Sequence, residues 1–327
     1  MRIAAVIGAT GYVGSAVVNE LLGRGYLVRC ATRSPESSLW LKSLPNAKKE
    51  SDVEIVKLDL QSCSDYDELF KDAKSVFFCA GTETQSPETV DFMRDSALNT
   101  IRSARRANVD VVVLTSSGGS TNPPGHKNET PKSELHHWSD PEVQLGAGKF
   151  SPAAKTIMEM SALCEVGRNQ QNEVIDGSVA SSSPRLCIMN PNLILGPQLK
   201  PGSVSGNSLP WVARILKGEA MSEKVPNDSM SIIDVRDLAS LHVNCAEKAD
   251  ASGRYFGVSR SWPWSEILMT IQRVYPGYNM PPMFEGEANI ETRFDFGRRD
   301  SLGVIPRPLE ETMNDLIAFL KDKGEVP

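Results

Sequence analysis

Three glycines near the start of the chain are spaced to hold a phosphate group. Gly8, Gly11 and Gly14 form a GxxGxxG turn directly after the apolar run of residues 3–7. Gly8 permits the tight turn, Gly11 lets the backbone approach a pyrophosphate, and Gly14 lets the following helix pack closely on the sheet. The N-terminus of that helix would face the phosphates, where its N–H groups and dipole favour negative charge. The turn therefore predicts dinucleotide binding.

The residues after the second predicted strand bear on the choice between the two nicotinamide dinucleotides. An Asp or Glu there would hydrogen-bond the ribose hydroxyls of NAD, whereas an Arg suits the 2′-phosphate of NADP. The sequence has Arg33 at this point, with Ser34 as a second candidate donor and no acid before Glu36. Arg29 lies inside the strand, where we expect it to face solvent. The pattern therefore predicts NADP as the cofactor.

Alternating strands and helices must position these residues. Strands are predicted at residues 3–7, 27–32, 53–58, 75–80, 109–115 and 185–190, and helices at residues 12–22, 38–44, 90–107 and 152–169. Short apolar strands separated by helices indicate βαβ units, hence an α/β fold with a doubly wound parallel sheet of the Rossmann type. Asp59 and Leu60, after the third strand, would border the adenine; a helix cap is the alternative role of Asp59.

The chain is long enough for a cofactor domain and a second lobe. We expect the cofactor domain at residues 1–190 together with 230–258, and a smaller substrate lobe at residues 191–229 and 259–327. Trp211, Trp262 and Trp264 fall in the lobe, where they either line an aromatic or apolar substrate site or, as is commoner, belong to the core.

Composition excludes several other classes of protein. The 327 residues are 40% hydrophobic and 23% charged, which is ordinary for a globular chain, and no window approaches the apolar length of a membrane span. A net charge of −6 without basic blocks argues against a nucleic-acid partner. The closest cysteines, Cys63 and Cys79, are 16 positions apart, so we expect reduced thiols, no metal site and a cytoplasmic protein. A monomer or homodimer acting on a small molecule is expected.

The order of the motifs resembles that of the extended short-chain dehydrogenase/reductases. The matching segments are GATGYVG at 8–14, Arg33, Asp59 with Leu60, TSS at 115–117, WSD at 138–140, KTIME at 155–159, NPNLILGP at 190–197 and DVRD at 234–237. Within that class the chain is most similar to the dihydroflavonol 4-reductase and cinnamoyl-CoA reductase branch. The resemblance covers essentially the whole chain.

The resemblance implies that NADPH reduces a carbonyl by hydride transfer. Such enzymes use a Ser-Tyr-Lys set, in which the tyrosine of a YxxxK motif protonates the alkoxide, the lysine lowers the tyrosine pKa and holds the nicotinamide ribose, and the serine orients the carbonyl. Matching motif to motif makes Ser117 the serine and Lys155 the lysine. The resemblance also implies which residues contact the cofactor: Gly8, Thr10, Gly11, Tyr12, Val13, Gly14, Arg33, Asp59, Leu60, Ala80, Gly81, Lys155, Pro191 and Asn192.

The tyrosine of this set is missing. Ser151 stands four residues before Lys155, and a serine hydroxyl is far too weak an acid to replace a tyrosine whose pKa a lysine has lowered. Ser151 could still hydrogen-bond a substrate oxygen or a water. In the first hypothesis the protein is a reductase whose proton comes from Lys155, from a water held by Ser151 and Ser117, or from a histidine of the predicted loop at residues 118–148. Those histidines are His126, His136 and His137.

Two further hypotheses stay open at this point. The protein could bind NADP without turnover, as a sensor or scaffold. It could instead act on a sugar-like or ether-like substrate, as an epimerase or dehydratase of this class does. We favour the reductase because the segment Asn190-Pro191-Asn192 on the nicotinamide side is intact, and a scaffold has less need of it.

Overall fold

The computed structural model describes residues 2–81, 85–176, 184–206 and 208–327. The strands are β1 (Ile3–Ile7), β2 (Leu27–Thr32), β3 (Val53–Lys57), β4 (Ser75–Phe78), β5 (Val111–Thr115), β6 (Arg185–Pro191), β7 (Leu193–Leu195), β8 (Ser229–Asp234), β9 (Gly253–Gly257) and β10 (Arg260–Pro263). The α-helices are α1 (Tyr12–Gly23), α2 (Asp67–Phe70), α3 (Glu88–Arg106), α4 (Pro141–Gly146), α5 (Phe150–Glu165), α6 (Ser208–Leu216), α7 (Val235–Glu247), α8 (Trp264–Val274), α9 (Gly297–Asp300) and α10 (Leu309–Asp322). Short 3-10 helices cover Glu36–Ser43, Glu50–Asp52 and Gly118–Ser120.

One large sheet organises the chain. Seven strands pair in the order β3-β2-β1-β4-β5-β6-β9, and every neighbouring pair is parallel. The chain runs from β1 outward to β3 and then returns to place β4 on the other side of β1. Ligands of doubly wound sheets bind at such a reversal, outside the carboxyl ends of the strands. The predicted α/β fold is confirmed.

Both faces of the large sheet are covered by helices. Successive residues of β1 alternate between two cores: Ala4 and Val6 pack with α1 and α7, whereas Ala5 and Ile7 pack with α3 and α5. All four side chains are buried, because helices lie on both sides of this parallel strand. This explains why β1 is a continuous apolar run rather than an alternating one.

A second, smaller sheet lies in the C-terminal half. β8 pairs with β7 in parallel and with β10 in antiparallel fashion, and α6, α8 and α10 share its core. Trp262 and Trp264 are buried in this core, and Trp211 packs edge-on against Trp264 with 5.5 Å between ring centroids. These tryptophans are therefore core side chains rather than a substrate lining. β9 joins the large sheet, and β8 the small one; the domain boundaries stay a prediction.

The predicted loop at residues 118–148 contains a helix. Pro141 starts α4, and the side chain of Asp140 caps it by accepting from the backbone N–H groups of Glu142 and Val143 at 2.9 and 3.2 Å. Proline at the first helical position and aspartate before it are strong start signals. Asp140 and Pro141 therefore initiate a helix inside the segment that was predicted to be a loop.

Two other predicted helices differ in form or length. Residues 36–43 form a 3-10 helix, since the hydroxyls of Ser37 and Ser38 donate to the Ser34 carbonyl at 3.1 and 2.8 Å and compete with an α-helical pattern. α5 begins at Phe150 and ends at Glu165, because Gly167 adopts a left-handed φ of 72°. In the part of the chain that is described, we find no helix with the length and apolarity that a bilayer span requires.

Candidate active site

A cleft of about 700 Å³ lies at the carboxyl ends of β1 to β4. One wall comes from the glycine turn after β1, and another from the residues that follow β2, β3 and β4. The predicted cofactor residues in its lining are Gly8, Thr10, Gly11, Tyr12, Arg33, Asp59, Leu60, Ala80 and Gly81. The tertiary fold thus brings together nine residues that the sequence separates by up to 73 positions, from Gly8 to Gly81.

The glycine turn has the shape that a pyrophosphate requires. Gly8 has φ of +79°, and a Cβ on it would lie 2.7 Å from the backbone nitrogen of Ala80. A Cβ on Gly14 would lie 2.0 Å from the Gly8 carbonyl oxygen, so α1 approaches the turn too closely for any side chain there. Gly11 is the N-cap residue of α1, and it has no side chain that could hydrogen-bond the first N–H groups of the helix. The N–H groups of this turn are therefore placed to bind phosphate, and the residues fit a dinucleotide.

Arg33 is exposed on the rim of the cleft. The Thr32 hydroxyl accepts from the Ser34 N–H at 3.2 Å and hydrogen-bonds the Ser38 hydroxyl at 2.7 Å, which fixes the turn that carries Arg33. Arg29, by contrast, pairs with Glu54 on the neighbouring strand at 2.8 Å. Arg33 is thus the arginine of this region that lines the cleft, and Arg29 is committed to the sheet.

Asp59 lines the cleft and shapes its own turn. Its Oδ1 accepts from the backbone N–H of Gln61 at 3.1 Å. The next helix, α2, begins at Asp67, so Asp59 caps a turn rather than a helix. Gln61 joins Leu60 in the cleft wall.

Several predicted cofactor residues lie outside the lining of the cleft. Gly14 packs beneath Gly8, and Val13 belongs to the core around α1. Pro191 is buried at the end of β6. The Asn192 side chain packs against Gly118, since a Cβ added to Gly118 would lie only 1.5 Å from Asn192 Oδ1. Lys155 is also outside the lining. It belongs to a second cluster.

The segments that carry Ser117, Ser151 and Lys155 pack together where β5 ends and α5 begins. Lys155 Nζ donates to the carbonyl oxygen of Thr115 at 2.8 Å, two residues before Ser117. Ser151 lies one turn before Lys155 on the same face of α5. A Cβ on Gly119 would lie 3.3 Å from both Ser117 Oγ and Pro152 Cβ, so the Ser117 turn packs directly on the first turn of α5.

The surroundings of Lys155 favour loss of its proton. Burial lowers the pKa of Lys155 to about 8, and the carboxylate of Glu159 opposes this effect. Cys79, which lines the cleft, also acts on Lys155 electrostatically. Lys155 is held at the end of β5, next to the strand after which Cys79 lines the cleft. Its pKa near the physiological range suits proton transfer.

The other candidate acids are placed less favourably. Tyr12 lines the cleft, but its hydroxyl donates to the Gly196 carbonyl at 2.7 Å and burial raises its pKa well above the usual value. The rings of His126 and His137 pack edge to face with their centroids 4.9 Å apart, and Nδ1 of His137 accepts a hydrogen bond from the Ser133 N–H. His136 is exposed. No histidine lines the cleft as far as the chain is described.

The sequence did not predict that residues after β7 form part of the cleft wall. Lys200, Ser205 and Gly206 line the cleft from the segment after β7. The side chain of Gln198 holds this segment: it donates to the Lys200 carbonyl at 2.8 Å and accepts from the Ser205 N–H and hydroxyl at 3.0 and 2.8 Å. The segment has no periodicity or motif that would have revealed its contact with residues near the start of the chain.

The Thr115 side chain has a buried partner that the sequence did not indicate. His242 of α7 lies with Nδ1 2.7 Å from the Leu238 carbonyl and Nε2 2.8 Å from the Thr115 hydroxyl. Since a carbonyl only accepts, Nδ1 carries the proton and the threonine donates to Nε2. Burial lowers the pKa of His242 to about 4, which keeps the ring neutral. Thr115 is thereby fixed on both sides.

Residues 8–157 match a family described as NAD(P)H-binding. The parallel sheet and the cleft at its carboxyl edge support the expected resemblance to the extended short-chain dehydrogenase/reductases. Over its whole length the chain is similar to reductases of one branch. Cinnamoyl-CoA reductase 1 of Oryza sativa subsp. japonica is 28% identical over 331 residues, which cover 100% of this chain and 92% of that protein. Tetraketide alpha-pyrone reductase 1 of Arabidopsis thaliana is 29% identical over 334 residues, covering 98% and 95%. These similarities support the dihydroflavonol 4-reductase and cinnamoyl-CoA reductase branch.

Solved structures share the fold. Vestitone reductase from alfalfa (Medicago sativa L.) superimposes with a TM-score of 0.79 at 21% identity, over 100% of both chains. Yeast methylglyoxal/isovaleraldehyde reductase complexed with NADPH gives a TM-score of 0.81 at 21% identity, over 99% of this chain and 100% of that one. The architecture is therefore that of known reductases.

Proposed function

We propose that the protein is an NADPH-dependent reductase that acts on the carbonyl group of a small molecule. The observation that carries the proposal is the hydrogen bond from Lys155 Nζ to the Thr115 carbonyl at 2.8 Å. It holds the lysine at the end of β5, next to β4, and the residues that follow β4 line the cleft together with the glycine turn and Arg33. Relatives named as reductases of cinnamoyl-CoA and of tetraketide alpha-pyrones support a carbonyl substrate. The yeast neighbour complexed with NADPH supports the cofactor.

The residues divide the work of holding the cofactor and the substrate. The N–H groups of the turn from Gly8 to Gly14 would hold the pyrophosphate, and Arg33 would pair with the 2′-phosphate. Bound NADPH would supply the hydride that reduces the carbonyl carbon. Ser117 would donate a hydrogen bond to the carbonyl oxygen, which orients it and stabilises the charge that develops on it.

The proton for the carbonyl oxygen comes from Lys155 in this proposal. With a pKa of about 8, its ammonium group is a much stronger acid than a serine hydroxyl. Transfer runs directly or through a water held by Ser117 and Ser151, and the carbonyl becomes an alcohol as NADPH becomes NADP. The lysine recovers its proton from solvent. Ser151 thus helps to bind the water and does not itself donate the proton.

The test measures NADPH oxidation by absorbance with a panel of aldehydes, ketones and thioesters. Wild type is compared with Lys155→Met and with Lys149→Met, which removes an exposed amine from the start of the same helix. Oxidation that depends on substrate, persists in Lys149→Met and disappears in Lys155→Met would support the reductase. No oxidation across the panel would favour the alternative that the missing tyrosine suggests, an NADP-binding sensor or scaffold. A cytoplasmic location and a monomeric or homodimeric state stay predictions.

A further inference from the structure

The side chain of Glu159 is a buried carboxylate at the centre of a polar network. It has no exposed surface, and its Oε1 accepts from the hydroxyls of Ser116 and Ser120 and from Asn190 Nδ2, the last at 2.7 Å. Burial of a carboxylate is costly unless it is paired and hydrogen-bonded. Ser116 and Ser120 flank Ser117, so the carboxylate holds the turn that carries the candidate catalytic serine.

Arg254 of β9 balances the charge of Glu159. Its Nε lies 2.8 Å from Glu159 Oε2, an ion pair in which neither side chain is exposed by more than 1%. The Nη groups donate to the carbonyls of Glu134, His137 and Ser120 at 2.9 to 3.0 Å. The guanidinium also stacks on Trp138, with its carbon 3.7 Å from the ring centroid.

The contacts of α5 bracket Ser117. Lys155 holds the Thr115 carbonyl, and Glu159, one helical turn later, holds Ser116 and Ser120. The Ser117 carbonyl accepts from the Ser120 N–H at 3.1 Å and from Asn190 Nδ2 at 3.0 Å. One rigid helix therefore sets the position of the serine turn and also carries the lysine.

We propose that Glu159, supported by Arg254, is a positioning residue that sets the Ser117 hydroxyl relative to Lys155. The expected loss of activity rests on the proposed reductase function, whereas the ordering of residues 115–120 by Glu159 is independent of it. An error of about 1 Å in the position of a catalytic group can cost roughly 10²-fold in rate. Glu159→Gln retains Oε1 as an acceptor but removes the charge that Arg254 requires, and we expect kcat to fall about 10- to 100-fold.

A double-mutant cycle separates positioning from general stability. The cycle is measured at pH 6, well below the pKa of Lys155, so that the effect of the Glu159 charge on that pKa changes the rate little. If Glu159 acts through Ser117, Glu159→Gln lowers kcat in wild type but has almost no effect in a Ser117→Ala background, because the serine is no longer there to be misplaced. Equal losses in both backgrounds would overturn the proposal. Glu165→Gln is the matched control, since Glu165 lies on the same helix and pairs with Arg102 and Arg105 at its far end. It should leave kcat unchanged.

Hydrogen exchange tests the same proposal without turnover. In Glu159→Gln, the amides of residues 116–121 should exchange at least tenfold faster, while those of the glycine turn keep their wild-type rate. Unchanged exchange in residues 116–121 would overturn the proposal even if kcat falls. If wild type reduces no carbonyl, the reductase function fails, and this measurement alone decides the positioning role. Should Glu159→Gln not fold, Glu159→Asp, which keeps the charge but shortens the side chain, undergoes both measurements with the same expected results.

Discussion

Lys155 reaches from α5 to the end of β5 and donates from Nζ to the Thr115 carbonyl at 2.8 Å. The hydroxyl of the same threonine donates to the buried, neutral His242, so the acceptor of the lysine is itself held in place. Lys155 is thus held against Thr115, two residues before Ser117, although Lys155 and Ser117 are 38 positions apart in the sequence.

The first prediction concerns the pH dependence of turnover. The acid in the proposed reaction is the ammonium form of Lys155, whose pKa burial lowers to about 8. The protonated form predominates below this pH, so kcat should be highest there and fall as the pH rises through about 8. Steady-state rates from pH 6 to pH 10 test the sign. In Lys155→Arg the guanidinium cannot release its proton, so kcat should fall to a low rate at every pH and the descending limb should vanish with it. A wild-type rate that stays constant to pH 10 would contradict the role of Lys155.

The second prediction restores the missing acid. Ser151 is half-buried one turn before Lys155, so Ser151→Tyr would place a phenol where the lysine can lower its pKa. We expect reduction of an accepted aldehyde to rise, but by less than the roughly 10²- to 10⁴-fold that general acid catalysis contributes in full, because Lys155 already supplies a proton. Ser151→Phe, which adds the ring without the hydroxyl, should give no increase. An unchanged rate in Ser151→Tyr with intact NADPH binding would show that Ser151 does not occupy the acid position.

The third prediction concerns cofactor choice. Arg33 is exposed at the cleft and no acid lies between the end of β2 and Glu36, so wild type should bind NADPH more tightly than NADH. A hydrogen bond between charged groups contributes roughly 1.5–3 kcal/mol, so Arg33→Ala should weaken NADPH about 10- to 100-fold and leave NADH almost unchanged. Fluorescence titration of both cofactors measures this. Arg29→Ala, which breaks a strand contact with Glu54 instead, should preserve the preference. Equal wild-type affinities would refute the assignment.

The fourth prediction concerns the approach of α1 to the glycine turn. A methyl group on Gly14 would lie 2.0 Å from the Gly8 carbonyl oxygen, so Gly14→Ala must displace the helix or the turn. We expect a loss of folding free energy of about 1–3 kcal/mol and of the increase in Tm that NADPH gives to wild type. Gly146→Ala at the end of α4 meets no atom within 4 Å and should keep both properties. Calorimetry with and without NADPH compares them; a wild-type response in Gly14→Ala would exclude this packing.

Local sequence patterns were sufficient for the part of the structure that depends on neighbours in the chain. The apolar run of β1, the glycines after it and the helical spacing of α1 are each set by residues within about ten positions, so strand, turn and helix were predicted together. The parallel arrangement followed from their repetition, because short apolar strands joined by helices have few other ways to pack. Resemblance to a known class then supplied Ser117 and Lys155, and it showed Ser151 where a tyrosine was expected.

Only the tertiary structure decided how distant residues combine. Glu159 and Arg254 are 95 positions apart, and each would be expected on the surface from its charge alone; they are buried because each neutralises the other. Lys200 lines the cleft in a segment that the Gln198 side chain holds through hydrogen bonds to the Lys200 carbonyl and the Ser205 N–H. Trp262 and Trp264 became core side chains because the second sheet covers them. The sequence by itself therefore determined the strands, helices and glycine turn, whose physics is local, whereas burial, ion pairing and the pKa of Lys155 depend on groups that only folding brings near.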